Sequence, residues 1–208
     1  PHGLDGSLGL LITKATTTTN GWAVWHSSIG DTEGLVISGT NAASSVTWWD
    51  QSNMTNNVFA HKAGTTSQSG APIIAYCWHD VPGLQKFGKY TGNSSSNGPV
   101  IDLGFRPAII LLKKIVSTDT NSGWHWYDNK RNTYNPANNF LLASAGYYEN
   151  RAQNNSADVT GYTVDFLSNG FRLSHGSNNL NSSGATYIYC AWAEAPAFNL
   201  YGAQSSAR

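Results

Sequence analysis

GAPIIAYCWHDVP at residues 70–82 and GATYIYCAWAEAP at residues 184–196 decide the fold, because these two stretches align without a gap. Trp78 falls on Trp192, and Pro82 falls on Pro196. Earlier anchors follow in the same order in both halves: residues 11–14 and Trp22 match residues 111–114 and Trp124, and residues 48–50 match residues 147–149. The chain therefore contains one unit twice, and a two-copy module usually serves as a scaffold or in recognition.

The two quoted stretches and their neighbours have the composition of strands. Short β-branched or aromatic runs alternate with clusters of Gly, Asn, Ser and Thr, which is typical of an all-β fold. The predicted strands are residues 10–15, 22–26, 35–38, 58–62, 73–80, 108–115, 124–128, 140–143, 164–173 and 186–193. Asn169-Gly170 splits the run at 164–173 into a hairpin. No stretch has helical periodicity, so we predict a β-sandwich-like module of two pseudo-symmetric repeats with little helix.

The domain organisation follows from the repeat. We predict a single fused domain, residues 1–208, in which repeat one covers 1–91, a polar flexible linker covers 92–99, and repeat two covers 100–208. The strand at 73–80 has apolar side chains on both faces: Ile74, Tyr76 and Trp78 on one, Ile73, Ala75 and Cys77 on the other. Such a strand should be covered on both sides, by the other half or by another subunit.

Charge and cysteine content exclude several classes of function. The 208 residues contain 12 acidic and 12 basic side chains, so the net charge is zero and only 12% of residues are charged. This balance argues against a nucleic-acid partner and against an anionic membrane surface. No apolar run is long enough to insert into a membrane. Cys77 and Cys190 stand one register apart on matched strands, so we predict buried free thiols that point to opposite faces.

The aromatic residues are the candidates for ligand binding. They cluster at matched places in the two halves, and aromatic rings beside Asp, Glu or Asn are common platforms for stacking a sugar. The predicted ligand-binding residues are Trp22, Trp25, Trp48, Trp49, Asp50, Trp124, Trp126, Tyr147, Tyr148 and Glu149. In each doublet one ring should face outward or into a partner. The alternative is that both rings of a doublet fill the core, as we expect for Trp78 and Trp192.

No pattern of catalytic residues is present. Asp80 and Glu194 occupy matched positions, as Asp50 and Glu149 do, and duplicated acids suggest a structural role used twice rather than an acid–base pair with two different environments. The histidines lack metal-ligand spacing. We therefore predict no enzyme, no cofactor and no metal site.

Several longer runs resemble a family of domains common in tailed phages of marine and freshwater bacteria, including cyanophage-like viruses. The runs that carry the resemblance are residues 75–83, 86–93, 104–108, 165–173 and 184–189. In that family the domain forms the C-terminal part of virion structural or tail-fibre-like proteins, without an assigned activity. The resemblance implies a location on the virion surface.

The resemblance, the uncharged surface and the apolar strands together lead to a functional hypothesis. We expect an appendage domain for attachment to a host cell-surface glycan, assembled as a homotrimer with other virion proteins. One alternative is a purely structural virion decoration or assembly domain without a ligand. Another is a secreted carbohydrate-binding module, and a glycan-degrading enzyme is a further possibility for which the sequence offers only unpaired candidates.

Overall fold

Strands account for all regular structure in the described part of the chain. The computed structural model describes residues 1–50, 55, 57–62, 70–116, 123–149, 161–176 and 180–194, and these residues form no helix. The strands are β1 (Leu8–Ala15), β2 (Ala23–His26), β3 (Glu33–Val36), β4 (Ser44–Ser45), β5 (Ile73–His79), β6 (Gln85–Thr91), β7 (Val100–Asp102), β8 (Pro107–Lys114), β9 (His125–Asp128), β10 (Leu141–Leu142), β11 (Val164–Leu167), β12 (Gly170–Leu173) and β13 (Thr186–Ala193). The all-β prediction is confirmed.

The strands form three antiparallel sheets. The first sheet has the order β4-β3-β2-β1-β5, the central sheet has the order β10-β9-β8-β13-β6, and the small sheet has the order β11-β12-β7. Four-strand units with matching order, β3-β2-β1-β5 and β10-β9-β8-β13, occur in the first two sheets. The internal repeat seen in the sequence is therefore also a repeat of strand topology.

Hydrogen bonds at matched positions show how closely the two units correspond. The amide of Ile37 donates to Trp22 O at 3.1 Å, and the amide of Ala143 donates to Trp124 O at the same distance. Trp78 pairs with Leu10 on β1, and Trp192 pairs with Ile109 on β8. The two tryptophan pairs are thus structural as well as sequence equivalents.

The strand pairing corrects one of the sequence matches by a single residue. Leu10 pairs with both His26 and Trp78, whereas Ile109 pairs with both Asp128 and Trp192, so Leu10 corresponds to Ile109. Residues 11–14 therefore correspond to residues 110–113, and not to 111–114. A slip of one residue moves a side chain to the opposite face of a sheet, so register had to come from the pairing.

The central sheet lies between two apolar cores. Along β13, Tyr187, Tyr189 and Ala191 belong to the core shared with the small sheet. The intervening Ile188 and Cys190 belong to the core shared with the first sheet. Alternating strand residues face opposite sides, so β13 is covered on both faces. The arrangement is a three-layer extension of the predicted sandwich.

Several predicted strands end elsewhere, and others were missed. Residues 58–62 form no strand, and Trp49 and His61 make an isolated bridge there instead. Residues 140–143 contribute only Leu141–Leu142. The missed strands are β4, β6 and β7, of which β6 is the longest. Glycine and lysine interrupt the apolar pattern of β6. Gly88 lies against the ring of Tyr189, Lys89 is exposed, and Lys86 Nζ donates to Asp102 O at 2.9 Å.

The boundary between the repeats also differs from the prediction. Strand β6 lies within residues 1–91, but it pairs with β13 in the central sheet. The segment 92–99 is not a loose linker, because Ser94 N donates to Asn181 O at 2.8 Å and Gly98 N donates to Leu173 O at 3.1 Å. These hydrogen bonds to repeat two were not expected for a flexible linker. Residues 195–208 of repeat two lie outside the described part of the chain.

Both cysteines are free, as predicted, but the predicted burial holds for Cys190 and not for Cys77. Cys190 is fully buried between the first and central sheets, and burial raises the pKa of its thiol. Cys77 pairs with Leu11, and the next residue, Trp78, pairs with Leu10, so the side chains of Cys77 and Trp78 lie on opposite faces of the first sheet. Cys77 is half-buried, so only one of the two thiols belongs to the sealed core.

Candidate functional site

An open cavity of about 510 Å³ lies at the β9–β10 edge of the central sheet. Its walls are Trp126, Arg131, Leu141, Leu142, Ala143 and Tyr147. Trp126 and Tyr147 were both predicted from the sequence to bind a ligand. The structure therefore brings two of the predicted aromatic residues to one concave surface, which is the usual shape of a small-molecule site.

Strand pairing and a tight turn position the cavity walls. Trp126 pairs with Leu141 across β9 and β10, so the two side chains share a face. Directly after β9, Asp128 Oδ1 accepts the backbone amides of Lys130 at 3.0 Å and Arg131 at 2.9 Å. This local turn fixes the direction of the Arg131 side chain toward the cavity.

Two carboxylates hold the Arg131 guanidinium in place. Arg131 Nε donates to Asp128 Oδ2, and Arg131 Nη1 donates to Glu149 Oε1 at 3.2 Å. Partial burial tends to raise the pKa of Asp128, but the hydrogen bonds from Arg131 outweigh it and lower that pKa. The formal charges of one guanidinium and two carboxylates sum to one negative unit. Glu149 is the third predicted residue at this site.

Four other predicted tryptophans lie in the core. Trp25, Trp48, Trp49 and Trp124 are all buried, and the Trp124 indole N–H donates to Val36 O at 3.0 Å. Their small exposed area leaves little surface on which a sugar can stack. Burial favours the alternative of core filling for these four residues, and their binding of a ligand stays a prediction.

The doublet Trp48-Trp49 shows why alternation failed there. The two rings meet edge to face with centroids 6.3 Å apart, and both belong to the core of the first sheet. A Cβ atom added at Gly34 would lie 2.9 Å from the Trp48 ring, so the glycine makes room for it. Outside a regular strand, consecutive side chains need not point to opposite faces.

The remaining predicted residues lie on the surface. Tyr148 follows the cavity residue Tyr147 in the chain, but it is exposed and does not line the cavity. Asp50 forms an ion pair with Lys62 at 3.3 Å, which joins the segment of Trp49 to that of His61. Trp22 is exposed and belongs to a different surface.

A second aromatic surface runs from the first sheet to the central sheet. The rings of Trp22 and Tyr76 are stacked at 6.2 Å, Tyr76 and Trp78 are stacked at 6.3 Å, and Trp78 meets Trp192 edge to face at 6.2 Å. We call these four residues the aromatic ladder. Trp78 and Trp192 are half-buried rather than core residues, and Tyr76 was missed as a surface residue. The sequence feature that could have indicated the surface position of Tyr76 was the presence of apolar side chains on both faces of residues 73–80.

The duplicated acids have structural partners. Asp80 Oδ1 accepts the backbone amide of Phe87 at 2.8 Å and fixes the turn between β5 and β6. Glu194 forms ion pairs with Arg106 at 3.0 Å and with Lys130 at 3.1 Å. These contacts agree with the expected structural role. In the described ranges, no three His, Cys, Asp or Glu side chains converge as they would around a metal ion.

Residues 1–196 match the family described as Domain of unknown function (DUF7483). The chain belongs to that family. No curated protein and no solved structure is significantly similar to this DUF7483 chain. None of its described residues forms a helix of the length and apolarity that a membrane crossing requires.

Proposed function

We propose that this DUF7483 domain binds a neutral glycan in the cavity between Trp126, Tyr147 and Arg131. The observation that carries the proposal is the meeting of two aromatic side chains with an arginine fixed by two carboxylates. A sugar has apolar C–H faces and a rim of hydroxyl groups. The aromatic walls suit the faces, and the charged groups suit the rim.

The carboxylates supply the acceptors that arginine lacks. Arg131 donates only, whereas Asp128 and Glu149 accept only, so the group offers both kinds of partner to sugar hydroxyls. The partners are held by existing hydrogen bonds, which lowers the entropy lost on binding.

The charge of the site defines the class of sugar. Asp128 and Glu149 together outweigh Arg131 by one negative charge, so a sugar carboxylate or sulfate would meet net repulsion. Neutral hexoses or N-acetylated amino sugars avoid this cost. We therefore propose a neutral glycan rather than a uronic or sialic acid.

We propose that the domain acts at the surface of a virion. Its support is the resemblance of residues 75–83 and 165–173 to tail-fibre-like proteins, together with a net charge of zero. An appendage domain present in many copies can attach through a shallow, weak site, because simultaneous contacts multiply the affinity. The host glycan is then the partner, and other virion proteins hold the domain in place.

Binding to neutral and acidic polysaccharides, measured by calorimetry on the full chain, tests the proposal. Tyr147→Ala and Trp126→Ala should each weaken binding of a neutral glycan about tenfold or more. Tyr134→Ala is the matched control, because Tyr134 is 74% exposed and lies outside the cavity. Equal binding by all three variants, or a preference for acidic glycans, would contradict the proposed site.

A structural virion domain without a ligand is the second candidate. It is favoured by the aromatic ladder, in which Trp22 and Tyr76 are exposed and Tyr76 lies on β5, the last strand of the first sheet, as in a surface made for assembly. Normal adsorption of intact particles carrying Tyr147→Ala, with no glycan bound by the wild-type chain, would favour this candidate.

A further inference from the structure

We propose that strand β5 pairs edge to edge with β5 of a second copy of this chain, in antiparallel orientation. The internal repeat provides the first argument. In the central sheet β13 lies between β8 and β6, whereas its counterpart β5 pairs with β1 alone among the described strands. No strand of the described residues therefore takes, beside β5, the position that β6 takes beside β13.

Equivalent residues on β5 and β13 differ in burial. Ile188 on β13 is fully buried, but its counterpart Ile74 on β5 is 48% exposed. Tyr76 is 43% exposed, whereas its counterpart Cys190 is buried. Exposed apolar side chains on an edge strand favour association with another strand. A second β5 would cover the side chains that repeat one leaves in solvent.

Strand β5 lacks the features that prevent edge pairing. Its seven residues, Ile73–His79, include no Lys, Arg, Asp, Glu or Pro. The nearby Lys14, which pairs with Ile74, directs its ammonium group to Ala15 O at 2.7 Å and Thr18 O at 2.9 Å. Charged residues and proline commonly protect edge strands, and β5 itself carries neither.

The occupant is a second copy because β5 is self-complementary. With Tyr76 opposite the partner copy's own position 76, antiparallel pairing sets each Ile74 opposite a Trp78, and each Ala75 opposite a Cys77. Residues opposite each other share a face, so the apolar face of one copy continues into the other. No charge is buried in this arrangement.

Pairing of one strand with itself generates a two-fold axis, and the predicted assembly is a dimer. A three-fold assembly would require another surface. The pairing leaves the glycan cavity open, since β10 and β6 lie at opposite edges of the central sheet and β6 follows β5 directly. The two proposals are independent, because the dimer requires no glycan.

Sedimentation equilibrium of the full chain at micromolar concentrations tests the pairing. We expect twice the monomer mass for the wild type and the monomer mass for Tyr76→Lys. Tyr134→Lys, an equally drastic change at a more exposed tyrosine, should remain dimeric. A monomeric wild type, or a dimer unaffected by Tyr76→Lys, would overturn the proposal.

A cross-linking variant tests the register and does not depend on the lysine variant folding. Directly opposed residues in antiparallel strands have Cα atoms about 4.5–5.5 Å apart, within the reach of a disulfide. Tyr76→Cys in a Cys77→Ser background should therefore form a covalent dimer under mild oxidation, whereas Tyr134→Cys in that background should not. Absence of the Tyr76→Cys covalent dimer would refute the pairing. The pairing would also be refuted if the wild type were a monomer that binds glycan and Tyr76→Lys abolished this binding.

Discussion

Trp78 and Trp192 occupy equivalent positions in the two repeats, and their rings meet edge to face with centroids 6.2 Å apart. Val24 belongs to the core between the first and central sheets, and its partly buried counterpart Trp126 packs against that core. The repeats thus pack through equivalent faces. The repeats differ in two places. Strand β6 lies beside β13, whereas no described strand lies at the outer edge of β5, and a cavity borders β10 in the second repeat.

Trp22 and Trp124 test this asymmetry as a matched pair. Trp124 is 1% exposed and hydrogen-bonded, whereas Trp22 is 39% exposed. Trp124→Ala should lower the free energy of unfolding by about 3–5 kcal/mol, as expected for a large buried ring. Trp22→Ala should cost about 1 kcal/mol, chiefly its contact with Tyr76. Urea denaturation measures both, and equal losses would contradict the asymmetry.

Asn181 is predicted to hold the segment 92–99 in place. Its side chain is fully buried, accepts the amide of Asn93 at 2.8 Å and donates to Ser95 O at 2.9 Å. Asn181→Asp replaces a donor by an acceptor, so Ser95 O loses its partner. We expect a loss of about 1–3 kcal/mol in unfolding free energy and faster amide exchange in residues 93–98. Exposed Asn97→Asp is the control, and equal exchange in both variants would count against this role.

Lys113 should make stability rise at alkaline pH. Its ammonium group lies in the core and donates to Asn41 O at 2.9 Å and Thr40 O at 3.1 Å, yet burial lowers the pKa of Lys113 from 10.5 to about 7. Between these values the unfolded chain holds the proton more tightly than the folded chain, so stability increases with pH.

The change that isolates this effect is Lys113→Met. The stability of the wild type relative to Lys113→Met should increase from pH 7 to pH 10, as measured by urea denaturation at several pH values. Lys89→Met, at an exposed lysine on β6, is the control. A difference between wild type and Lys113→Met that is constant with pH would show that the lysine does not titrate in this range.

His125 should make the fold sensitive to acid. Its ring packs against Phe140 and Tyr162 with centroids 5.3 and 5.1 Å away, and burial lowers its pKa from 6.5 to about 3. The neutral ring is therefore the folded form, and stability is lost as the pH falls from 6.5 toward 3, because the unfolded chain takes up the proton first.

His125→Phe keeps an aromatic ring and removes the proton site. Its melting temperature should fall less than that of the wild type between pH 6.5 and pH 4, whereas His175→Phe at an exposed position should behave as the wild type does. Parallel acid curves for the wild type and His125→Phe would place the acid sensitivity elsewhere, for example at buried His26, whose pKa burial lowers to about 4.

Part of the site was predictable from sequence. Trp126, Tyr147 and Glu149 were selected for residue type and repeat position, and they do gather around one cavity. Arg131 was missed as a site residue, although a carboxylate three residues before an arginine could have indicated the ion pair with Asp128. Trp48 and Trp49 have the same sequence pattern as Tyr147 and Tyr148, but tertiary contacts bury the tryptophans, such as those of Trp48 with Gly34 and of Trp49 with His61.

The sequence by itself determined the strand class and the duplication, because alternation of apolar residues and turn-forming residues acts over a few neighbours. It also determined that β5 is apolar on both faces. The tertiary structure alone decided that β6 crosses into the central sheet, that β5 is the last of the described strands in the first sheet, and which tryptophans are buried. The physical reason is that strand neighbours and burial depend on contacts between residues far apart in the chain, which no local pattern records.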